Sequence, residues 1–385
     1  MTLMLVPMVT GPDDEWTTLR EQVRTVLRDA RDAAVFEPRC DSWHAGWDEH
    51  FTRQLADQGW VGMTVPREYG GPGRSAVERH VVVEELLAAG APVAAHWAAD
   101  RQMSQSLLRF GTEDQRKRFL PAIVRGECYF AIGMSEPDSG SDLASIRTAA
   151  TRTEGGWILS GTKLWVTGAH RAHAIMVLAR SAALDTSARH AGISQFIVPT
   201  DSPRLTIRPI RSLAGEHHFN ELIFDEVFVP DEMVLGQIGD GWKQVTSELG
   251  FERSGPERFL STFPLLAHVV KAAHSRPHYR HMHETGALLV RLAALRQLSL
   301  AVASTLDRGE AASTPAALVK DMGTRFEGDV IDLAREVLQV EPDLGSPDLV
   351  TRLLAQAILA RPVFTLRGGT NEILRGVVAR GMGLR

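Results

Sequence analysis

Cysteine is scarce in this 385-residue sequence, and the two that occur, Cys40 and Cys128, have no CxxC partner. Two cysteines cannot form a disulfide framework, so a reducing cytoplasm is the expected compartment. An excess of basic residues is also missing, because the net charge is −5 with both signs spread along the chain. Nucleic-acid-binding proteins normally carry a basic patch, and we therefore expect no nucleic-acid partner.

Long apolar runs are lacking as well. None reaches transmembrane length, so we expect no membrane partner. The N-terminus, MTLMLVPMVTGPDDEW, starts with a short apolar stretch but has neither the basic region nor the long apolar region of a signal peptide. What is present is an ordinary balance of 44% hydrophobic and 23% charged residues. At this length, that balance is typical of a globular protein with two or three domains.

The periodicity of apolar residues changes twice along the chain. Helical spacing dominates the first third, where we predict helices over 13–34, 48–59, 75–90, 92–110 and 112–127. Alternating, β-branched stretches follow to about residue 235 and predict about seven short strands. Long Ala- and Leu-rich runs then have the lengths of bundle helices, at 258–275, 284–307, 313–340 and 347–361.

This order predicts an α+β protein with three domains. We expect a helical domain over residues 1–127, a middle β domain over 128–236, and a C-terminal helical bundle over 237–385. Thr112 is the expected N-cap of the last helix of the first domain, because acidic residues follow it directly.

Two hydroxyl-rich stretches in the β segment are candidates for ligand binding. The first, AIGMSEPDSGSD at 131–142, could hold a flavin, a phosphate or a thioester chain, or it could be a plain surface loop. In the second, GTKLWVTGA at 161–169, Trp165 and Thr167 alternate with apolar residues and so share one face of a strand. A tryptophan can lie against a flat ring and a threonine hydroxyl can meet a ring nitrogen, although Trp165 by itself would suit a core equally well.

A glycine pair precedes a helix start near the C-terminus, in TLRGGTNEILRG at 365–376. Glycines allow close approach of the backbone, and free N–H groups at a helix start can face a ligand. No Gly-Lys-Ser/Thr follows, so the stretch is not a nucleotide P-loop.

Taken together, MSEPDSGSD, SGTKLWVTG, ELIFDEVFVP and LRGGTNEILRGVVAR occur in an order and at a spacing that resemble the acyl-CoA dehydrogenase family. The resemblance covers nearly the whole chain. It implies an FAD-dependent acyl-CoA dehydrogenase with a helical N-terminal domain, a middle β-barrel or β-sandwich domain and a C-terminal four-helix bundle. It also implies a homo-oligomer, a dimer or a homotetramer, because one subunit helps to bind its neighbour's flavin, and an electron-transfer flavoprotein or similar electron acceptor.

The resemblance assigns binding residues by position. Flavin contacts fall on the loop, the strand and the C-terminal turn just described, at Ile132, Met134, Ser135, Gly140, Ser141, Trp165, Thr167, Thr370 and Glu372. Substrate contacts fall on Ser141, Arg253, Gly368 and Gly369. In the bundle, Arg276 and Gln339 match positions that reach the neighbour's flavin, although glycines that the family has near both positions are absent here.

The reaction needs a carboxylate that removes the α-proton of the thioester, and many members carry a Glu at the position of Gly368. Gly368 has no side chain, although its backbone N–H can still donate to the thioester carbonyl. A second branch, similar to isovaleryl-CoA and long-chain enzymes, takes the base from a bundle helix, and LGFERSGPERF at 249–259 puts Glu252 there. We predict Glu252 as the base. Glu248 and Glu257 are the alternatives, and Glu257 also fits a capping box with Ser254.

Several alternatives stay open from the sequence. The thioester carrier could be an acyl-carrier protein instead of CoA, and the chain could be a non-catalytic subunit of a hetero-oligomer. The four histidines in HSRPHYRHMHE, 274–284, match no zinc-binding spacing, so we expect a solvated helix start and no metal site. The identity and length of the acyl chain are not encoded in any motif that we identify.

Overall fold

The computed structural model describes residues 14–384, including all of their side chains except those of residues 14, 15 and 249–252. The chain separates into two compact units. We call residues 48–73 and 95–249 the sheet unit, and the described residues 14–47, 74–94 and 250–384 the helical unit. The domain boundaries after residues 127 and 236 stay a prediction.

The described residues form thirteen α-helices. They are α1 (Asp14–Asp32), α2 (Ser42–Ala45), α3 (Glu49–Asp57), α4 (Ala76–Ala88), α5 (Ala94–Ala98), α6 (Ser104–Phe110), α7 (Glu113–Val124), α8 (Gly241–Glu252), α9 (Phe263–Ser275), α10 (Tyr279–Asp307), α11 (Ser313–Leu338), α12 (Leu349–Phe364) and α13 (Asn371–Gly381). A π-helical segment, Ala99–Met103, separates α5 from α6 within the single helix that the sequence predicts over 92–110. Thr112 caps α7 in a full capping box with Gln115, which confirms the predicted N-cap.

The sheet unit contains seven strands among its described residues, as predicted. They are β1 (Phe130–Gly133), β2 (Ala149–Thr153), β3 (Gly156–Thr167), β4 (Ala174–Arg180), β5 (Ile193–Pro199), β6 (Leu205–Arg211) and β7 (His217–Pro230). They form one sheet in the order β1-β4-β2-β3-β7-β6, and β5 also pairs with β4. β4 pairs in parallel with β1 and antiparallel with β5, and it is buried at all but its last residue. The continuous apolar sequence of its first six residues, AIMVLA, reflects this central position.

The long antiparallel pair β3–β7 contains the second hydroxyl-rich motif. Its register shifts twice, between Leu159 and Gly161 and again between Lys163 and Val166. The second shift lies within the GTKLWVTGA motif, and β1 leads directly into the AIGMSEPDSGSD loop. The fold therefore brings both hydroxyl-rich motifs to strands of the same sheet.

The helical unit is built around α11. This helix packs against α9, α10, α12 and α13, and its buried residues recur at helical spacing along its whole length. The GGTNE turn lies between α12 and α13, so the bundle holds both of its ends. These helices match the C-terminal bundle that the sequence predicts.

One described helix, α10, is long and apolar enough to cross a membrane, judged by length and composition alone. No stretch of this kind was expected from the sequence. Half of the apolar stretch in α10 is buried within the structure. Core helices of bundles pass the same test, so the result has little weight as a sign of a membrane.

The segment after α8 differs from one expectation. α8 ends at Glu252, and Pro256 begins a short 3₁₀ helix, Pro256–Arg258, because proline supplies no N–H to continue the preceding helix. The N-cap of this 3₁₀ helix is Gly255, without a side-chain cap. The capping box predicted between Ser254 and Glu257 is therefore wrong.

Candidate active site

A buried ion pair fastens the loop after β1 to strand β3. Lys163 is fully buried, and its Nζ donates to Oε1 of Glu136 at 2.7 Å and to the carbonyl oxygen of Met134 at 3.0 Å. The Glu136 carboxylate also accepts the backbone N–H groups of Arg147, at 2.6 Å, and Thr148, at 2.9 Å. One carboxylate thus ties together both ends of the loop.

Both members of this pair are charged at neutral pH. Burial by itself would raise the pKa of Glu136, but the charge and hydrogen bond of Lys163 hold that pKa below its usual value. Burial lowers the pKa of Lys163 to about 8, and Glu136 opposes the shift. Since a buried charge without its partner is strongly unfavourable, the pair specifies one conformation of the loop.

The predicted flavin contacts on the loop and on the strand are neighbours in the structure. The backbone N–H of Leu164 donates to the carbonyl oxygen of Ser135 at 2.9 Å. Met134 and Ser135 are half-buried, whereas Gly140 and Ser141 are exposed. Ile132 lies in β1 and packs against the core of the sheet.

Trp165 lies in a bulge of β3. The ladder pairs Lys163 with Leu222 and then Val166 with Asn220, so two residues of β3 oppose a single residue of β7. Trp165 has a φ of +62°, in the left-handed region that residues with a side chain rarely adopt. Such bulges re-aim side chains next to functional sites. The simple strand alternation that we assumed for this motif is therefore interrupted at Trp165.

The residues of the sheet unit fit a flavin. The Trp165 side chain is 57% exposed in a strained backbone conformation, with the half-buried Thr167 two residues further on. Large exposed aromatic rings held by backbone strain are typical of ligand contacts. The loop beside them adds the exposed Ser141, whose hydroxyl can hydrogen-bond a polar group of FAD.

In the helical unit, a buried lysine fixes the turn between α12 and α13. Lys320, on α11, is fully buried. Its Nζ donates to the carbonyl oxygens of Thr365, at 3.1 Å, and Gly369, at 2.8 Å, and to Oδ1 of Asn371, at 2.8 Å. The Lys320 side chain therefore holds two residues of the GGTNE turn and Thr365, three residues before it.

Arg253 holds the same turn from the segment that follows α8. Its Nε donates to the carbonyl oxygen of Gly368 at 3.0 Å. Gly368 and Gly369 have φ values of +70° and +91°, and a Cβ on Gly369 would lie 3.0 Å from Nη2 of Arg253. The turn therefore requires glycine at both positions, because of its backbone conformation and, at Gly369, because of the close approach of Arg253.

The two cations also orient the N–H groups of the turn. Within a planar trans peptide, the C=O and the next N–H point in opposite directions. Because the carbonyls of Gly368 and Gly369 face Arg253 and Lys320, the N–H groups of Gly369 and Thr370 point away from these cations. Donors of this kind at a helix start suit a carbonyl or an anion.

Thr370 and Glu372 begin α13. Thr370 is its N-cap and accepts the N–H of Ile373. Glu372 is exposed, and its own backbone N–H, followed by the Thr370 hydroxyl, holds its pKa below the usual value. An ionised Glu372 at a helix N-terminus is favourable by itself, so its predicted flavin contact stays a prediction.

The side chain of Glu252 lies outside the described residues. Both alternatives to it are buried. In the sheet unit, Oε1 of Glu248 accepts from Oγ of Ser106 at 2.7 Å and from Nε2 of Gln195 at 3.3 Å. In the helical unit, Glu257 is 1% exposed, and its Oε1 lies 3.6 Å from Nε of Arg258.

Arg276 and Gln339 do not join the residues described above. Arg276 is the exposed C-cap of α9, and Gln339 is the exposed C-cap of α11 with a φ of +55°. Their predicted contact with a neighbour's flavin stays a prediction. Among the residues whose side chains the structure describes, no group of His, Cys, Asp or Glu is arranged to hold a metal ion.

The sequence analysis missed several residues that shape the site. Arg367, directly before the glycine pair, donates to both carboxylate oxygens of the buried Asp41, at 2.6 and 2.8 Å, and its guanidinium lies 4.1 Å from the ring centroid of Trp43. Lys163 and Glu136 lie within motifs that we quoted, but we gave them no role. A lysine inside a predicted strand and followed by three apolar residues was the signal that could have identified the buried pair.

Family models of acyl-CoA dehydrogenases match nearly the whole chain. The N-terminal domain model matches residues 13–127, the middle domain model 131–227, and the C-terminal domain model 239–383. These matches confirm the family and the helix–β–helix architecture that the sequence predicted.

Individual relatives agree. The acyl-CoA dehydrogenase IpdE1 of Mycobacterium tuberculosis is 33% identical over 356 residues, which are 89% of each chain. The acyl-CoA dehydrogenase FadE34 of the same organism is 34% identical over 331 residues, which are 84% of this chain but 44% of FadE34. This chain thus spans less than half the length of FadE34.

Among solved structures, the Tcur3481-Tcur3483 steroid ACAD superposes with a TM-score of 0.86 at 28% identity and covers 98% of this chain and 100% of that chain. Family members bind FAD, in agreement with the cofactor that the sequence predicted. The chain therefore belongs to the acyl-CoA dehydrogenase family of FAD-dependent oxidoreductases.

Proposed function

We propose that this chain catalyses the α,β-dehydrogenation of an acyl-CoA thioester, with Glu252 as the base that removes the α-proton. Bound FAD supplies the acceptor for the β-hydrogen, which leaves as hydride. The N–H of Gly368, with those of Gly369 and Thr370 beside it, stabilises the negative charge that develops on the thioester carbonyl. A base of this kind must be desolvated enough to be reactive.

The contact between Arg253 and the glycine turn carries this proposal. Arg253 follows Glu252 directly in the chain, and its side chain reaches the carbonyl oxygen of Gly368. The end of α8 is thereby anchored to the turn that lacks the usual glutamate. A base at position 252 could then act on a thioester held by that turn, in place of the side chain missing from Gly368.

The surroundings of the two alternative bases support the same assignment. Glu248 is engaged by Ser106 and Gln195 within the sheet unit. Glu257 is buried beside Arg258 in the helical unit. Carboxylates that hold structural hydrogen bonds or ion pairs are poor candidates for a base that must meet substrate.

Anaerobic bleaching of the flavin by substrate tests the proposal. The purified holoprotein is mixed with acyl-CoA thioesters of straight, branched and steroid side chains, the last because a structural relative is named a steroid ACAD. We expect one of these classes to bleach the wild type. The Glu252→Gln variant should retain FAD but lose turnover by about 10²–10⁴-fold, the usual contribution of a general base.

Glu257→Gln is the matched control, since it makes the same change five residues away. It should leave far more activity than Glu252→Gln once protein stability is equal. Unchanged turnover in Glu252→Gln would exclude this residue as the base, and loss confined to Glu257→Gln would assign the role there. Bleaching only by carrier-protein thioesters would reject CoA as the acyl carrier.

Redox and quaternary partners follow from the same proposal. We expect an electron-transfer flavoprotein or a similar flavoprotein to reoxidise the enzyme. In the turnover assay an artificial dye takes the place of this electron acceptor. The homotetramer and the cytoplasmic location stay predictions.

A hetero-oligomer is a second candidate. The 331 aligned residues are 44% of FadE34, so that relative is about twice as long as this chain and could hold two such folds. The name of the solved steroid ACAD also joins two components, Tcur3481 and Tcur3483. Co-expression with a related chain and analytical ultracentrifugation distinguish the two arrangements: a single species containing both chains supports the hetero-oligomer.

A further inference from the structure

Asn220, on β7, is fully buried and uses its whole side-chain amide in three hydrogen bonds. Its Nδ2 donates to the carbonyl oxygen of Val166 at 2.9 Å and lies 3.1 Å from Nδ1 of His170. Its Oδ1 lies 2.8 Å from Nε2 of His217. No motif that we identified in the sequence includes this residue.

These bonds are made at the bulge that carries Trp165. Val166 is the first residue of β3 to regain ladder pairing after the bulge, and its ladder partner is Asn220. The backbone N–H of Gly168 donates to the carbonyl oxygen of His218 at 2.8 Å, which closes the same segment on its other side. A left-handed tryptophan is unfavourable by itself and persists only where its surroundings determine the backbone.

The two histidines hold Asn220 in one orientation. Their rings stack with centroids 3.9 Å apart. Burial, followed by the proximity of His217, lowers the pKa of His170 to about 4, so His170 is neutral at neutral pH. The hydrogen-bond network then assigns Nδ1 of His170 as an acceptor and Nε2 of His217 as a donor. If the Asn220 amide were flipped, its Nδ2 donor would face the Nε2 donor of His217, which is unfavourable.

We propose that Asn220, oriented by His170 and His217, is a positioning residue that sets the β3 bulge and so presents Trp165 to the flavin. The proposal goes beyond the base assignment and rests on the flavin contact predicted for Trp165. It does not depend on Glu252, because no part of this network belongs to the chemistry of proton removal.

FAD binding to the deflavinated protein tests the proposal without turnover. The dissociation constant is measured by flavin fluorescence, and the visible absorption band of the bound flavin is recorded for the wild type, Asn220→Ala and Trp165→Ala. We expect Asn220→Ala to weaken FAD binding about tenfold, which corresponds to about 1.4 kcal/mol, and to shift the flavin band in the same direction as Trp165→Ala. Asn220→Thr, which suits a strand but cannot make all three bonds, gives the same readout if the alanine variant does not fold.

Val229→Ala is the matched control. Val229 lies on the same strand and is buried, and its ladder partner is Trp157, away from the bulge. It should lower thermal stability to a similar extent and leave FAD binding and the flavin band unchanged. An equal effect of both variants would reduce Asn220 to an ordinary stabilising residue and overturn the proposal.

A double-mutant cycle separates this inference from the flavin contact on which it rests. If Asn220 acts through Trp165, Asn220→Ala should add little to the loss already caused by Trp165→Ala. Fully additive losses would overturn the positioning role while leaving the Trp165 contact intact. If Trp165→Ala itself changes neither affinity nor spectrum, the contact is wrong and the inference falls with it.

Discussion

Glu327, on α11, is a fully buried carboxyl group in the helical unit. Its Oε1 accepts the backbone N–H of Ser261 at 2.8 Å, whereas its Oε2 has no hydrogen-bond partner among the described side chains and backbone. Burial raises its pKa to about 7, although Arg367 and Ser261 oppose the shift. Compared with the unfolded chain, the native structure therefore favours the protonated form of Glu327.

The sign and size of the resulting pH dependence follow directly. In the unfolded chain Glu327 titrates near 4.5, so stability falls as pH rises from that value through about 7. With a pKa of 4.5 in the unfolded chain and about 7 in the native structure, the free energy of unfolding is lowered by roughly 3 kcal/mol at pH 8 and by about 1 kcal/mol at pH 5. The Glu327→Gln variant does not titrate and should escape this loss.

Urea unfolding of the holoprotein at pH 5 and pH 8 measures the effect. The stability of Glu327→Gln relative to the wild type should increase by about 2–3 kcal/mol between the two pH values, whatever constant penalty the new amide adds. Glu341→Gln, at an exposed position of the same unit, is the matched control and should show no such increase. Parallel curves for Glu327→Gln and the wild type would refute the reasoning that burial dominates at Glu327.

Three further predictions follow from buried charge, backbone conformation and exposure. Lys163→Met should destabilise the protein by about 3–5 kcal/mol in thermal or urea unfolding, because it leaves the Glu136 carboxylate buried without its partner; a loss below 1 kcal/mol would show that the pair is dispensable. Gly369→Ala should destabilise by about 1–2 kcal/mol and should lower kcat/KM, because it strains the turn and displaces Arg253; unchanged kinetics would show that the turn's conformation is not needed. Arg152→Ala removes an ion pair with Asp231 in which both side chains are about half exposed, and it should leave the midpoint of urea unfolding almost unchanged; a clear loss of stability would contradict the solvent screening expected at this exposed pair.

The sequence by itself determined the order of helices and strands, the approximate bounds of most helices and the family. These features depend on residues close together in the chain. Helical or alternating periodicity selects the element, and a cap such as Thr112 begins a helix through a bond to Gln115, three residues away. The family motifs are short and contiguous, so they could be identified without any knowledge of packing.

Only the tertiary structure decided how the site is held. The bulge at Trp165 depends on Asn220, more than fifty residues away in sequence, and the glycine turn depends on Arg253 and Lys320 from two other segments. Glu327 has an ordinary helical sequence environment, and only its burial raises its pKa. Buried charges and strained backbone conformations are stabilised by residues that come close only when the chain folds. Local sequence patterns do not identify those residues.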